Sequence, residues 1–161
     1  MAKFDVVECA RIIETGKVRN AFFPPTALRM LKAADARIDG LRSVASGGEP
    51  LGAQMLAWGR AALGVDINEF YGQTECNMVA SSCGAQYPAR AGCIGKAVQG
   101  FDIAVLDGDQ PAEGEVDVAI RRGAAPMMLG YWQRPEETAE KFRGDWMLTG
   151  DRGVWEGDFL R

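Results

Sequence analysis

Hydrophobic and polar positions follow an alternation of helix and strand through the first half of the chain. In some stretches apolar residues recur every three to four positions, as on one face of a helix, and in others they form short runs, as in buried strands. This pattern predicts helices at residues 6–17, 26–33 and 51–63 and strands at residues 18–23, 41–45 and 65–71. Because the two types alternate, it also predicts parallel strands joined by helical crossovers, a βαβαβ segment of an α/β fold.

The second half of the chain has a different pattern. Apolar and polar positions alternate singly at residues 101–106 and 115–120, between frequent glycines, which predicts short half-buried strands. One short helix is predicted at residues 135–142, since Pro135 suits the first helical position and the acidic residues after it suit the positive end of the helix dipole. We therefore predict an α/β subdomain at residues 1–88 and a mainly β, barrel-like subdomain at residues 89–161.

Two glycine-bearing turns follow predicted parallel strands, at residues 46–50 and 71–75. Parallel sheets bind ligands at the carboxyl ends of their strands, so we expect a ligand between these turns. In the second turn the ring of Tyr71 can stack on a purine, the hydroxyl of Thr74 can donate to a phosphate, and the carboxylate of Glu75 can hold Mg²⁺. The alternative is that the glycines serve only tight turns and that Glu75 only complements a helix dipole.

Composition and charge exclude several classes of protein. Hydrophobic residues make up 47% and charged residues 25% of the chain, which is ordinary for a globular domain. The net charge of -4 and the scattered basic residues do not form the footprint of a nucleic-acid binder. The sequence predicts neither a signal peptide at residues 1–17 nor a membrane span.

The cysteine and histidine content further limits the kinds of metal site and catalytic site that the chain can form. There is no histidine, and the four cysteines form no CxxC pair, so the usual zinc spacings and the Ser/His and Cys/His catalytic arrangements are excluded. The chain is too large and too poor in cysteine to be a disulfide-stapled secreted scaffold. We therefore expect reduced thiols and a cytoplasmic location.

Three segments, taken together, resemble the core motifs of a known superfamily. They are Ser-Gly-Gly-Glu-Pro at 46–50, Phe-Tyr-Gly-Gln-Thr-Glu at 70–75 and Leu-Thr-Gly-Asp at 148–151. In this order they resemble the motifs of the adenylate-forming superfamily, which includes acyl-CoA synthetases, adenylation domains of peptide synthetases and luciferases. Residues 22–26, 92–96 and 130–138 resemble further segments of that superfamily, so the likeness covers nearly the whole chain.

The resemblance implies a reaction and its cofactors. A carboxylate attacks the α-phosphate of ATP to give acyl-AMP and pyrophosphate, and a thiol, usually that of CoA, then takes the acyl group. ATP or AMP, Mg²⁺ and CoA are therefore expected to bind. Catalysis of this kind rests on positioning and on charge neutralisation, so it does not require histidine.

The same resemblance implies roles for individual residues. Gly48, Glu49 and Pro50 would line the adenine pocket, Tyr71 would stack on the base and Gln73 would lie beside it. Thr74 would contact phosphate, Glu75 would hold Mg²⁺, and these two are the predicted catalytic residues. Asp151 would accept hydrogen bonds from the ribose hydroxyls.

Gly72 bears on the acyl substrate. Acetate-specific members of the superfamily place a tryptophan at this position, which closes the acyl pocket, whereas a glycine leaves room. The resemblance therefore implies a medium-chain, longer or aromatic carboxylic acid as substrate.

The superfamily also has parts without a counterpart in these 161 residues. They are a Ser/Thr/Gly-rich phosphate loop ending in lysine, a hinge with a preceding arginine, and a mobile C-terminal domain with a lysine. We expect little adenylating activity from these residues alone, since positioned charges drive the chemistry, and association through uncovered sheet edges. Two interpretations stay open: a segment of an AMP-forming ligase of fatty acid metabolism, and a non-catalytic nucleotide-binding or interaction module.

Overall fold

The computed structural model describes residues 4–108 and 110–161, which cluster into two compact units. Unit 1 contains the described residues up to Phe70 together with Ser82–Gly92, and unit 2 contains Tyr71–Ser81 and Cys93–Arg161. The predicted boundary at residue 88 divides the chain once, whereas these units interleave. The segment Tyr71–Ser81 clusters with the second unit because its apolar residues pack into that unit's core.

Unit 1 has the predicted alternation of helices and strands. Its elements are α1 (Val6–Thr15), β1 (Asn20–Phe22), α2 (Pro25–Ala33), β2 (Ser43–Gly47), α3 (Ala53–Ala62) and the first four residues of β3 (Ile67–Gln73). β1 pairs with β2 in parallel, and β2 pairs with β3 in parallel. The predicted α/β fold class is therefore confirmed, and the carboxyl ends of β2 and β3 lie at the same edge of the sheet.

Local sequence signals explain the helix ends in unit 1. Helix α1 begins after Asp5, whose carboxylate accepts a hydrogen bond from the Glu8 N–H at 2.8 Å. Helix α2 begins at Pro25, where a missing N–H costs nothing. The core between helices and sheet is formed by buried aliphatic side chains, with Leu28, Leu31 and Val44 fully inaccessible to solvent.

Unit 2 is mainly β, as the sequence predicts for residues after 89. After the last residues of β3 come β4 (Asn77–Ser81), β5 (Lys96–Ala97), β6 (Ile103–Asp107), β7 (Gln110–Pro111), β8 (Val116–Arg121), α4 (Pro135–Glu140), β9 (Phe142–Arg143), β10 (Trp146–Gly153), β11 (Trp155–Glu156) and β12 (Phe159–Leu160). An antiparallel sheet has the strand order β7-β6-β8-β10-β9. Its inward face buries Ile120 and Met147.

Apart from the two-residue strands, two strands of unit 2 have no counterpart in the sequence prediction, β4 and β10. β4 is short and begins with Asn77. Its two buried positions, Val79 and Ala80, are flanked by polar residues, so the sequence shows no hydrophobic pattern typical of a strand. β10 contains Thr149-Gly150-Asp151, residue types that are common in turns and that predict no strand. They form an irregularity inside a long strand instead, because the neighbouring strands supply the pairing.

Within the described residues, no helix combines the length and the apolar composition that crossing a membrane requires.

Candidate functional site

A tight hairpin presents the central predicted residues. β3 and β4 are neighbours in the sheet, joined by Thr74-Glu75-Cys76, and the Cys76 N–H donates to the Gln73 carbonyl at 3.1 Å. Asn77 follows with a φ of 62°, a left-handed conformation that asparagine adopts more readily than most residues. Because side chains alternate along a strand, Tyr71 and Gln73 share one face of β3.

A bulge in β10 brings Asp151 to the same place. β10 pairs with β8 at Leu148↔Ala119 and next at Arg152↔Asp117, so extra residues of β10 stand out of the ladder between these pairs. Gly150 has a φ of 84°, a conformation that glycine adopts without strain. Thr149 anchors the bulge, since its hydroxyl donates to the Val118 carbonyl at 2.7 Å and accepts from the Asp151 N–H at 3.1 Å.

Two donors converge on one oxygen of Asp151. The Tyr71 hydroxyl donates to Asp151 Oδ2 at 2.6 Å, and Gln73 Nε2 donates to the same oxygen at 2.7 Å. Burial and the bond to Asp151 raise the pKa of Tyr71, so the phenol keeps its proton and acts as a donor at neutral pH. In the described part of the chain both side-chain donors bind Oδ2, so Oδ1 is left to accept from a ligand.

Glu75 is held by two contacts of its own. The Tyr131 hydroxyl donates to Glu75 Oε1 at 2.6 Å, and the Met128 N–H donates to the Glu75 carbonyl at 2.7 Å. The Tyr131 bond, and to a smaller degree the charge of Lys141, lower the pKa of Glu75, so its carboxylate is ionised at neutral pH. The same bond raises the pKa of Tyr131.

Glu75 fits the metal role that the resemblance implies. No three His, Cys, Asp or Glu side chains of the described residues come together as a metal site. Mg²⁺, however, is commonly bound through one or two carboxylates and the phosphates of its nucleotide. A single ionised carboxylate is therefore sufficient here, and a dedicated protein cage is not needed.

Lys141 completes the cluster, and the sequence predicts only that it lies in the helix at residues 135–142. Its ammonium donates to the Thr149 carbonyl at 3.2 Å and faces Gln73 Oε1 at 3.5 Å. Tyr131, Lys141 and Thr149 had no role in the predicted site. Tyr131 stood in a matching motif, but no periodicity or spacing in the sequence connects any of the three with Glu75 or Gln73.

The predicted adenine-lining residues lie in unit 1. Gly48 has a φ of 102° and begins the loop after β2. Glu49 forms an exposed ion pair with Arg29 at 2.9 Å. The loop is fastened by Glu69, a buried carboxylate that accepts the Leu51 N–H at 2.8 Å and whose pKa is raised by burial.

Gly72 and Thr74 complete the predicted set. Thr74 is exposed in the hairpin turn. A Cβ on Gly72 would lie 1.9 Å from the Asn77 carbonyl oxygen, so the close approach of β3 and β4 excludes any side chain there. The glycine thus has a packing reason that does not involve a substrate. Its predicted role in the acyl pocket, like the other site assignments, stays a prediction.

The structure therefore brings Tyr71, Gln73 and Asp151 together within unit 2. Glu75 lies one turn further along the same hairpin. The cluster thus combines an aromatic ring, an amide and a carboxylate, the groups from which the predicted nucleoside site is built.

Comparison with known proteins identifies the family. The family model for AMP-binding enzymes matches residues 1–132, and the chain belongs to that family. The predicted membership of the adenylate-forming superfamily is thereby confirmed. The chain is 32% identical over 167 residues to the human "Acyl-coenzyme A synthetase ACSM4, mitochondrial", and the match covers 98% of this chain and 29% of the relative.

Solved structures of acyl-CoA synthetases also match this chain. The crystal structure of a Brucella canis acyl-CoA synthetase matches with a TM-score of 0.87 and 33% identity, covering 99% of this chain and 31% of that one. The anthranilate CoA ligase AuaEII, solved in complex with anthranoyl-AMP, matches with a TM-score of 0.84 and 26% identity, covering 96% of this chain and 31% of that one. The relatives are thus acyl-CoA synthetases, which are ligases, and the chain spans less than a third of their length.

Proposed function

We propose that these residues bind the adenosine part of ATP and of acyl-AMP in an AMP-forming acid–thiol ligase. The ligase would join a carboxylate to AMP with release of pyrophosphate and then transfer the acyl group to the thiol of CoA. Family membership supports the nucleotide, and the names of the relatives support the acyl-CoA product.

One observation carries this proposal: the Asp151 carboxylate is oriented by Tyr71 and Gln73 through a single oxygen. A carboxylate held in this way offers its second oxygen to a ribose diol, which has two donors to give. The Tyr71 ring, whose hydroxyl donates to the other oxygen, would supply an apolar face for the base. Binding of the nucleoside then requires no rearrangement of the acceptor.

Glu75 and Thr74 would act on the phosphate side. Glu75 is ionised and half-exposed, so it would hold Mg²⁺, which neutralises charge on the phosphates. Thr74 would donate its hydroxyl to a phosphate oxygen. Gly48, Glu49 and Pro50 would line the adenine.

The first test is a calorimetric titration of the purified chain with AMP. Asp151→Ala removes the acceptor, and loss of a hydrogen bond to a charged group predicts affinity weaker by about tenfold or more. Asp102→Ala is the matched control, since Asp102 is an exposed aspartate of the same unit, paired with Arg121 at 2.8 Å. Equal affinities of wild type and Asp151→Ala for AMP would overturn the proposal.

We further propose a medium-chain, longer or aromatic acid as the acyl substrate. The reported complex of a relative with anthranoyl-AMP supports an aromatic acid. Non-hydrolysable acyl-sulfamoyl adenosines separate the possibilities by their acyl group alone. Octanoyl and benzoyl forms should bind more tightly than the acetyl form, and a preference for acetyl would contradict the assignment.

The cytoplasmic location stays a proposal as well. None of the four cysteines forms a disulfide in the described part of the chain, as expected in a reducing compartment. Fractionation of cells that express the whole protein with a tag would test it, and recovery in another compartment would contradict it.

A further inference from the structure

The side-chain amide of Gln73 has a nitrogen and an oxygen that must face different partners. Its Nε2 lies 2.9 Å from the Thr149 carbonyl and 2.7 Å from Asp151 Oδ2, and both of these atoms are acceptors. Only the nitrogen carries hydrogens that it can donate to them. The opposite orientation would set the amide oxygen against a carbonyl and a carboxylate.

The amide oxygen faces a donor. The Lys141 ammonium stands 3.5 Å from Gln73 Oε1 and is held there by its bond to the Thr149 carbonyl at 3.2 Å. An ammonium is a donor only, so it attracts the oxygen end of the amide and repels the nitrogen end. Reversal of the amide would therefore lose all three favourable contacts at once.

We propose that Lys141 is a positioning residue for nucleoside binding, which acts through Gln73 on the carboxylate of Asp151. Lys141 selects the amide orientation, the amide donates to Asp151 Oδ2, and Oδ1 is thereby aimed at the ribose hydroxyls. This inference rests on the proposed function, because it concerns the same ribose acceptor. It adds a residue that contacts neither base nor sugar.

Adenosine and 2′,3′-dideoxyadenosine test this directly, because the second ligand lacks the hydroxyls that Asp151 would bind and neither carries a phosphate. Lys141→Met keeps an unbranched side chain that is shorter by one atom, and it removes the donor. We expect about tenfold weaker binding of adenosine by this variant and unchanged binding of the dideoxy compound. Lys141→Arg, which keeps a donor, should restore most of the affinity.

Lys96→Met is the matched control, since Lys96 is a half-buried lysine of the same unit that pairs with Asp158. Its adenosine affinity should stay within twofold of wild type, roughly the spread expected for a substitution outside a binding site. A loss in Lys141→Met that is equal for both nucleosides would overturn the inference. So would a loss seen only with AMP and not with adenosine, since it would place Lys141 on the phosphate.

A second readout needs no ligand. In NMR spectra the side-chain amide protons of Gln73 should exchange slowly in wild type and in Lys141→Arg, and faster in Lys141→Met. If wild type fails to bind adenosine, the proposed function fails while the amide spectra still decide the role of Lys141. Unchanged amide exchange in Lys141→Met, together with unchanged adenosine binding, would refute that role.

Discussion

Gly72 gives the sharpest test of the hairpin that carries the site. A Cβ added at Gly72 would lie 1.9 Å from the Asn77 carbonyl oxygen, 2.7 Å from the Asn77 carbonyl carbon and 2.8 Å from the Met78 Cα. All three are backbone atoms of β4, so no side-chain rotation relieves the overlap. Carbon–oxygen contacts lie near 3.3 Å or beyond, so Gly72→Ala must separate the two strands by about 1.4 Å.

The size of the effect follows from this displacement. Overpacking by a methyl group costs about 1–3 kcal/mol, and a backbone hydrogen bond weakened between the strands adds about 1 kcal/mol. We expect Gly72→Ala to lower the free energy of unfolding by about 3 kcal/mol, which corresponds to a fall in Tm of roughly 6–12 °C for a chain of this size.

Urea unfolding followed by circular dichroism measures this loss. The control is Gly130→Ala, whose Cβ would meet the Thr138 Cγ2 at 3.0 Å, a side-chain atom at a longer distance and not the backbone of a paired strand. It should cost under about 1 kcal/mol, as for a typical surface substitution. A loss under about 1 kcal/mol for Gly72→Ala as well would show that β3 and β4 do not approach as closely as described.

The same geometry affects the interpretation of Gly72 as a specificity residue. A tryptophan introduced there would disrupt the hairpin before it reported on any acyl pocket. Changes in acyl preference after such a substitution would therefore be ambiguous, and so would their absence. Comparison of acyl groups on unmodified protein avoids this difficulty.

Three further outcomes are expected. Burial raises the pKa of Glu69, so the folded state binds its proton more tightly than the unfolded state, and the contribution of Glu69 to stability falls as the pH rises from the unfolded pKa of about 4.3 through the raised folded pKa. Glu69→Gln should reduce this fall in pH-dependent urea unfolding, and an unchanged pH profile would contradict it. Asn77→Val should cost about 1–2 kcal/mol more than Asn77→Gly, because the φ of 62° disfavours a branched side chain, whereas both variants lose the bond that Asn77 Oδ1 accepts from the Met78 N–H; equal stabilities of the two variants would be inconsistent with that conformation. Tyr71→Phe removes one of two donors to the exposed Asp151 but keeps the ring, so adenosine affinity should fall about threefold to tenfold, and undiminished affinity in a calorimetric titration would speak against the ribose role.

The periodic parts of the fold were predictable from the sequence. The predicted helices and parallel strands of the first half occur within a few residues of their expected bounds, because the apolar spacing that predicts them also builds their buried faces. β4 was missed, because a five-residue strand with two buried positions carries too little pattern. β10 was missed because its bulge consists of turn-type residues.

The sequence by itself determined the fold class, the family resemblance and the residue types from which a nucleotide site can be built. Only the tertiary structure decided which of them meet. Tyr71 and Asp151 are 80 residues apart in the chain, and Gln73 and the Thr149 carbonyl are 76 apart. Lys141 faces Gln73 across 68 residues, and no local pattern encodes such a contact. The β3–β4 hairpin and the bulge in β10 create it, because strand pairing fixes where each side chain points, whereas spacing along the chain fixes only the strands themselves.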